Sequence, residues 1–158
     1  MIFTKEILLP IGKMTLLEQN DALIAASLHD LPAGYRQDTP LLRSAEEQLL
    51  SYFAGERRTF DLPLRMQGTP FQIQVWQALR EIPYGETRSY GDIARAIGNP
   101  RACRAVGMAN NKNPLLIFVP CHRVIGADGS LTGFGAGLSV KEYLLRLEAG
   151  KLTSGGAK

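Results

Sequence analysis

The sequence predicts a mixed α/β protein of the α+β kind: an N-terminal antiparallel sheet with one helix, then a mainly helical C-terminal lobe containing a helix-turn-helix. Three observations lead there. Short apolar segments separated by turn residues fill the chain from Phe3 to Leu28. Cap-plus-proline signals at Thr39-Pro40 and Thr69-Pro70 each open a run with apolar residues at helical spacing. Two short helical patterns then meet across Gly98-Asn99-Pro100, a tight glycine-containing turn.

In the front part, Phe3–Leu9, Met14–Glu18 and Ala22–Leu28 are divided by Pro10-Ile11-Gly12 and by Asn20-Asp21, the pattern of an antiparallel meander. His29 falls at its edge as a turn or surface histidine without a role. Leu31 to Asp38, with Pro32 and Gly34, reads as a loop. The helix opened by Thr39-Pro40 gathers Leu42, Ala45, Leu49, Tyr52 and Phe53 on one side before Gly55, so it can cover one face of the meander. Glu56 to Gly68 forms the connection. The expected organisation is an N-terminal lobe with its connection at 1–68, a C-terminal domain at 69–150 and a flexible tail at 151–158.

In the second part, the helix opened by Thr69-Pro70 places Phe71, Val75, Ala78 and Leu79 on one face with Trp76 at its margin as a core residue. Pro83-Tyr84-Gly85 ends it. Ser89 with Asp92 resembles a capping box for a helix from Tyr90 to Ile97, and a second short helix follows from Arg101 to Asn110. On that second helix Ala102, Ala105, Val106 and Ala109 share one side; Arg104, Gly107 and Met108 share the other. A glycine inside a helix costs about 1 kcal/mol relative to alanine, so Gly107 calls for a close neighbour, either nucleic acid or another helix. Asn113-Pro114 forces an extended entry into Leu115–Val119, which reads as a fully buried strand ending at Pro120-Cys121-His122-Arg123-Val124. A turn at Gly126–Gly129 and a loop in which Gly133, Gly135 and Gly137 flank Phe134 lead to a last helix from Ser139 to Ala149, stopped by Gly150.

With 158 residues, 45% of them hydrophobic, the chain can build one good-sized core or two small lobes. The N-terminus carries no secretory or membrane-insertion signal, so a cytoplasmic protein with no membrane partner is expected. Its two cysteines, Cys103 and Cys121, are then expected as reduced thiols. His29 and His122 are the only histidines and no ligand pair has finger-like spacing, so no metal is implied. Net charge is a modest +3, but Arg88, Arg95, Arg101, Arg104, Lys112 and Arg123 are opposed within their stretch by Asp92 alone. That asymmetry points to a polyanionic partner.

Cysteine attacks as a thiolate, and an ordinary thiol pKa of about 8.5 calls for a base or a positive neighbour. His122 adjoins Cys121. On an extended segment consecutive side chains face opposite ways, so the expected link between them is a bridging water. The imidazole needs an orienting carboxylate, and the last helix offers Glu142 and Glu148. At about 100° per residue Glu142 lies on the polar side by Arg146, whereas Glu148 lies at the edge of the buried face, making Glu148 the better partner. Cys103 has no paired base and reads as a small helix-edge residue.

Val119-Pro120-Cys121-His122-Arg123-Val124 resembles the acceptor motif of the O6-alkylguanine-DNA alkyltransferases. Arg104-Ala105-Val106-Gly107 ahead of Asn113-Pro114, and Val140-Lys141-Glu142-Tyr143-Leu144-Leu145 with Glu148 behind it, follow that family's order and spacing. The resemblance covers residues 69–150 closely and the front lobe, ribonuclease H-like in that family, loosely.

The resemblance implies that Cys121 accepts the alkyl group, that His122 reaches it through water, that Glu148 orients His122 and that Asn113 is the hinge asparagine. It implies a helix-turn-helix entering the minor groove of double-stranded DNA through Arg104, Tyr90, Gly107, Arg101 and Ser89. Arg104 is then the finger that fills the gap left by a flipped nucleotide, and Tyr90 turns the phosphate and touches the base. Tyr90, Val124, Phe134 and Gly135 would form the base pocket; Phe134 stands where many members carry tyrosine, keeping the stacking surface without the hydroxyl. The implied activity is irreversible, stoichiometric removal of the alkyl group from O6-alkylguanine, and from O4-alkylthymine, by a monomer that needs no cofactor. A Cys-His hydrolase would instead turn over on acyl substrates, and a binder of alkylated DNA without chemistry would have no use for Cys121.

Overall fold

A computed structural model describes residues 1–32, 34–131 and 134–152 of the chain. Strands β1 (Ile2–Leu9), β2 (Gly12–Gln19) and β3 (Ala22–Ser27) form the expected antiparallel meander. Asn20 and Asp21 both take positive φ, 52° and 62°, the turn geometry whose twist suits a two-residue hairpin. A short strand, β4 (Tyr35–Arg36), pairs in parallel with β1 inside the stretch read as a loop, giving the order β3-β2-β1-β4.

Helix α1 (Pro40–Phe53) starts where the proline signal put it. The Thr39 hydroxyl accepts the Leu42 N–H at 3.1 Å and donates to the buried Glu18 carboxylate of β2, tying the cap to the sheet. Leu42, Ala45, Leu49 and Tyr52 are fully buried along one side, facing the sheet. The connection after α1 is strapped down. Gln48 exchanges two hydrogen bonds with the Asp61 backbone, and Leu23 on β3 bonds Pro63 O and Arg65 N, both at 2.9 Å.

Helix α2 (Pro70–Leu79) begins with a complete capping box between Thr69 and Gln72. Strand β5 (Arg88–Ser89), helix α3 (Tyr90–Ala96) and helix α4 (Cys103–Asn111) follow. Helix α4 starts two residues later than expected, leaving Arg101 in the preceding turn. Its inward face also differs: Val106, Ala109 and Asn110 are buried, whereas Ala105 is exposed. The Trp76 indole N–H donates to Ala109 O at 2.8 Å, fixing the C-terminal end of α4 against α2.

The apolar run Leu115–Val119 is buried as expected but is not a strand. Leu115 bridges to Ala26, then Ile117 takes φ 74° and the chain turns back, Val119 N–H reaching Leu115 O at 2.9 Å. A left-handed conformation is a genuine outlier for a β-branched residue, and full burial is what holds it. Cys121–Arg123 form one 3-10 turn, strand β6 (Val124–Ile125) pairs in parallel with β5, and helix α5 (Leu138–Glu148) closes the fold. One hydrophobic cluster runs through both parts, from Met14 and Leu42 to Leu115 and Leu144. Among the described residues no helix is long and apolar enough to cross a membrane. The tail from residue 153 on and Gly133 of the glycine loop lie outside the described residues.

Candidate active site

Cys121 sits at the first position of the 3-10 turn, 3% exposed. The tight turn corrects the extended geometry expected there, so Cys121 and His122 do not simply face opposite ways. Two amides hold the segment. Asn113 donates to Val119 O at 2.7 Å and accepts the Leu115 N–H at 3.0 Å, clamping the buried turn, while Asn110 donates to the Cys121 carbonyl at 3.3 Å.

Glu148, 7% exposed on α5, gathers the polar side chains behind the thiol. Its Oε2 accepts from His122 Nε2 at 2.7 Å, from the Tyr52 hydroxyl at 2.6 Å and from Arg123 Nη2 at 3.0 Å. Its Oε1 accepts from Arg123 Nε at 2.8 Å and from the Gly85 N–H at 3.3 Å. Burial alone would raise this carboxyl, but the bonds from His122 and Arg123 and their charges outweigh it, and Glu148 stays ionised far below the usual carboxylate range. Because a carboxylate only accepts, His122 Nε2 carries the proton and Nδ1 keeps a lone pair. That Nδ1 is buried with no protein hydrogen-bond partner.

Burial pulls the His122 imidazole below its ordinary pKa, against the raising effect of Glu148, so it is neutral at physiological pH. Burial also pushes the Cys121 thiol up to about 11; the Asn113 amide and the Lys141 ammonium pull the other way. The resting thiol is therefore protonated, and a base within reach is what converts it to a nucleophile.

Lys141 escaped the sequence reading. Its side chain on α5 is 0% exposed, with the ammonium 5.7 Å from the Phe134 ring centre and 6.0 Å from that of Tyr90. Desolvation lowers its pKa, and it places positive charge beside Cys121. Arg123 was counted with the basic surface but is buried, ion-paired with Glu148 and bonded to Ile82 O at 2.7 Å. Tyr52, expected only on the apolar side of α1, sets its hydroxyl on Glu148 and so joins the front part to this buried group. Glu142 stays exposed, as its helical position required.

The other predicted residues divide between two places. Arg101, Arg104, Gly107 and Met108 lie on the outer side of the α3–α4 pair, whose connecting turn passes through Gly98 at φ 77°. A Cβ added at Gly107 would meet only the Tyr90 ring, at 3.8 Å, so protein packing does not require glycine there. Among the described residues Arg101, Arg104 and Lys112 make no ion pair, whereas Arg95 pairs with Asp92 and Arg88 with Glu86. The Ser89 hydroxyl caps α3 by accepting the Asp92 N–H at 3.0 Å. Nearer the thiol, Phe134 and Gly135 line a pocket of about 190 Å³ with Cys121, Asn113 and the end of β3. Val124 is fully buried in β6, paired with Arg88 of β5, and neither it nor Tyr90 is among the residues that line this pocket. Both cysteines are free thiols, Cys103 exposed at the start of α4. Among the described residues no group of histidine, cysteine and carboxylate side chains is placed to hold a metal ion.

This geometry defines a class: a mixed α/β protein in which a helix pair with exposed outer arginines lies beside a buried cysteine followed by a carboxylate-oriented histidine. Comparison with known proteins narrows it. The 6-O-methylguanine DNA methyltransferase models match along the chain, the ribonuclease-like domain at residues 7–66 and the DNA binding domain at 70–150. The methylated-DNA–protein-cysteine methyltransferase of Methanosarcina barkeri is 50% identical over 149 residues, 90% of this chain and 94% of that protein. The constitutive enzyme of that name from Bacillus subtilis is 49% identical, with 88% and 90% covered. The crystal structure of Mycobacterium tuberculosis OGT in complex with DNA superposes with a TM-score of 0.88 at 48% identity, covering 94% of each chain. The chain belongs to the 6-O-methylguanine DNA methyltransferase family.

Proposed function

We propose that the protein repairs alkylated DNA by direct reversal, moving the alkyl group of O6-alkylguanine, and of O4-alkylthymine, onto Cys121. The observation that carries the reading is the 2.7 Å bond between Glu148 and His122, which leaves a buried imidazole lone pair on the residue that follows the buried Cys121 thiol. A mycobacterial relative holding DNA agrees with it.

In the reaction, Nδ1 of His122 takes the Cys121 proton through a water, and the charge that develops on the imidazole is met by Glu148. The sulfur attacks the alkyl carbon, a carbon–sulfur bond forms, and the bond from that carbon to O6 breaks with its electron pair going to the base. The base is protonated as it leaves as guanine, and we assign the proton to the Tyr90 hydroxyl. Lys141 steadies the thiolate electrostatically. The thioether is chemically inert, so each molecule acts once, and the transfer itself calls for no cofactor.

A base inside a duplex must be extruded to meet a buried sulfur. The α3–α4 pair enters the minor groove, Arg104 fills the gap in the stack, and Tyr90, Arg101, Ser89 and the bare backbone at Gly107 receive the phosphates. Tyr90, Phe134, Gly135 and the Val124 main chain hold the base, and Asn113 joins the groove-reading helix to the acceptor turn. Residues 1–68 and 69–150 serve as two lobes around one core, and the protein acts as a monomer. A consumable free thiol suits the reducing cytoplasm.

Intact-mass spectrometry after incubation with duplex DNA containing O6-methylguanine tests this. The expected result is gain of one methyl per molecule, mapped to Cys121 and abolished by Cys121→Ser. Turnover without an adduct, or no adduct at all, refutes it.

A further inference from the structure

We propose that His29, two residues beyond β3, is a positioning residue that latches the Phe134–Gly135 segment over the acceptor pocket. This rests on the alkyl-transfer reading for its consequence but not for its geometry. The imidazole Nε2 donates to the Gly135 carbonyl at 3.1 Å across 106 residues of sequence. The histidine is itself set by its N–H, which donates to Ser27 Oγ at 2.9 Å.

The opposite side of the segment is also occupied. A Cβ added at Gly135 would lie 3.1 Å from Asn111 O, at the C-terminal end of α4. Gly135 is thus held between the front sheet and the helix that bears the outer cations. His29, Cys121 and Phe134 line the same pocket of about 190 Å³, so the latch closes a wall of the chamber in which the sulfur lies. Because a carbonyl only accepts, both the neutral Nε2–H tautomer and the imidazolium can close it. The side chain is exposed, so replacing it leaves the core intact.

A segment that flanks the pocket has to move aside for a base and return over it. One neutral hydrogen bond holding the returned position is worth a rate effect of about two- to tenfold. The latch also gives the front part a direct hold on the pocket, separate from its buried link through Tyr52.

Hydrogen exchange and single-turnover kinetics on His29→Ala and His29→Gln test the latch. In His29→Ala the amide of Gly137, which donates to Phe134 O at 3.0 Å, is expected to exchange about two- to tenfold faster, and methyl transfer from duplex DNA to slow by a similar factor, at an unchanged melting temperature. Glutamine offers an N–H at comparable reach, so His29→Gln is expected to restore both within about twofold. Unchanged exchange in His29→Ala overturns the proposal, as do equal losses in the two variants. The exchange readout needs no substrate, so wild-type protein that fails to take a methyl would count against the alkyl-transfer reading and leave the latch to be decided by exchange.

Discussion

The two sides of Cys121 are built on opposite terms. Behind the thiol, Glu148, His122, Arg123 and Tyr52 are all buried, and the carboxylate accepts five hydrogen bonds from them and from Gly85. On the outer side, Arg101, Arg104 and Met108 are exposed, and among the described residues neither arginine has an ionic partner. The first arrangement suits chemistry, which needs groups fixed before the substrate arrives. The second suits a partner that brings its own charges and is desolvated only on binding. Damage to the two sides should therefore register in different assays.

The largest effect is expected from Glu148→Ala. It leaves Arg123 as an uncompensated buried charge and strips the proton acceptor from His122 Nε2. A loss of about 3–5 kcal/mol in unfolding free energy is expected from breaking a buried ion pair on one side. The methyl-transfer rate of whatever remains folded should fall about a hundredfold or more. Denaturant titration and single-turnover kinetics check both, and a variant with wild-type values in either would remove Glu148 from the centre of the relay.

Arg104→Ala should do the reverse. The side chain is exposed and has no ion-pair partner among the described residues, so stability should stay within about 0.5 kcal/mol. An extruded base leaves an unstacking cost of a few kcal/mol that a filling side chain offsets, so repair in duplex DNA should slow about tenfold to a hundredfold. Reaction with the free O6-methylguanine base has no gap to fill and should suffer less. Equal losses in the two assays would reject the finger role and blur the contrast between the two sides.

How much of this was legible in the chain follows from how local each signal is. Thr39-Pro40, Thr69-Pro70 and Ser89 with Asp92 satisfy backbone donors within one turn, and the helices begin there. Helical phase alone separated Glu148 from Glu142. The run Leu115–Val119 misled because residues buried on every side carry no period, so a strand and a turn look alike. Strand β4 was missed because two residues have no alternation and their partner is β1, more than thirty positions away. Arg123 was counted with the outer basic residues because long cations are rarely buried unless paired, and for the same reason nothing in the sequence signals the burial of Lys141. Tyr52 and His29 went unrecognised for one shared reason: periodicity gives a side chain's direction, not a partner 96 or 106 residues away.

Tyr52→Phe offers the smallest expected effect and the finest test of the inner side. The tyrosine ring packs edge-on to Phe53 at 5.2 Å and near Phe60 and Tyr84, all contacts that phenylalanine keeps. Only the bond to Glu148 Oε2 is lost, at about 1 kcal/mol of stability. With one donor fewer, the carboxylate becomes a stronger acceptor for the imidazolium, while the other groups facing it, Arg123 and the Gly85 N–H, with Tyr84 and Lys141 nearby, are unchanged. The pKa of His122, depressed by burial in the native protein, should then rise. Since the neutral imidazole is the base, the acid limb of the rate profile should move to higher pH by up to about one unit, with the alkaline plateau preserved. A profile that superimposes on the wild type would show that the front part holds Glu148 without tuning it, whereas a lower plateau with an unmoved limb would make Tyr52 a matter of packing.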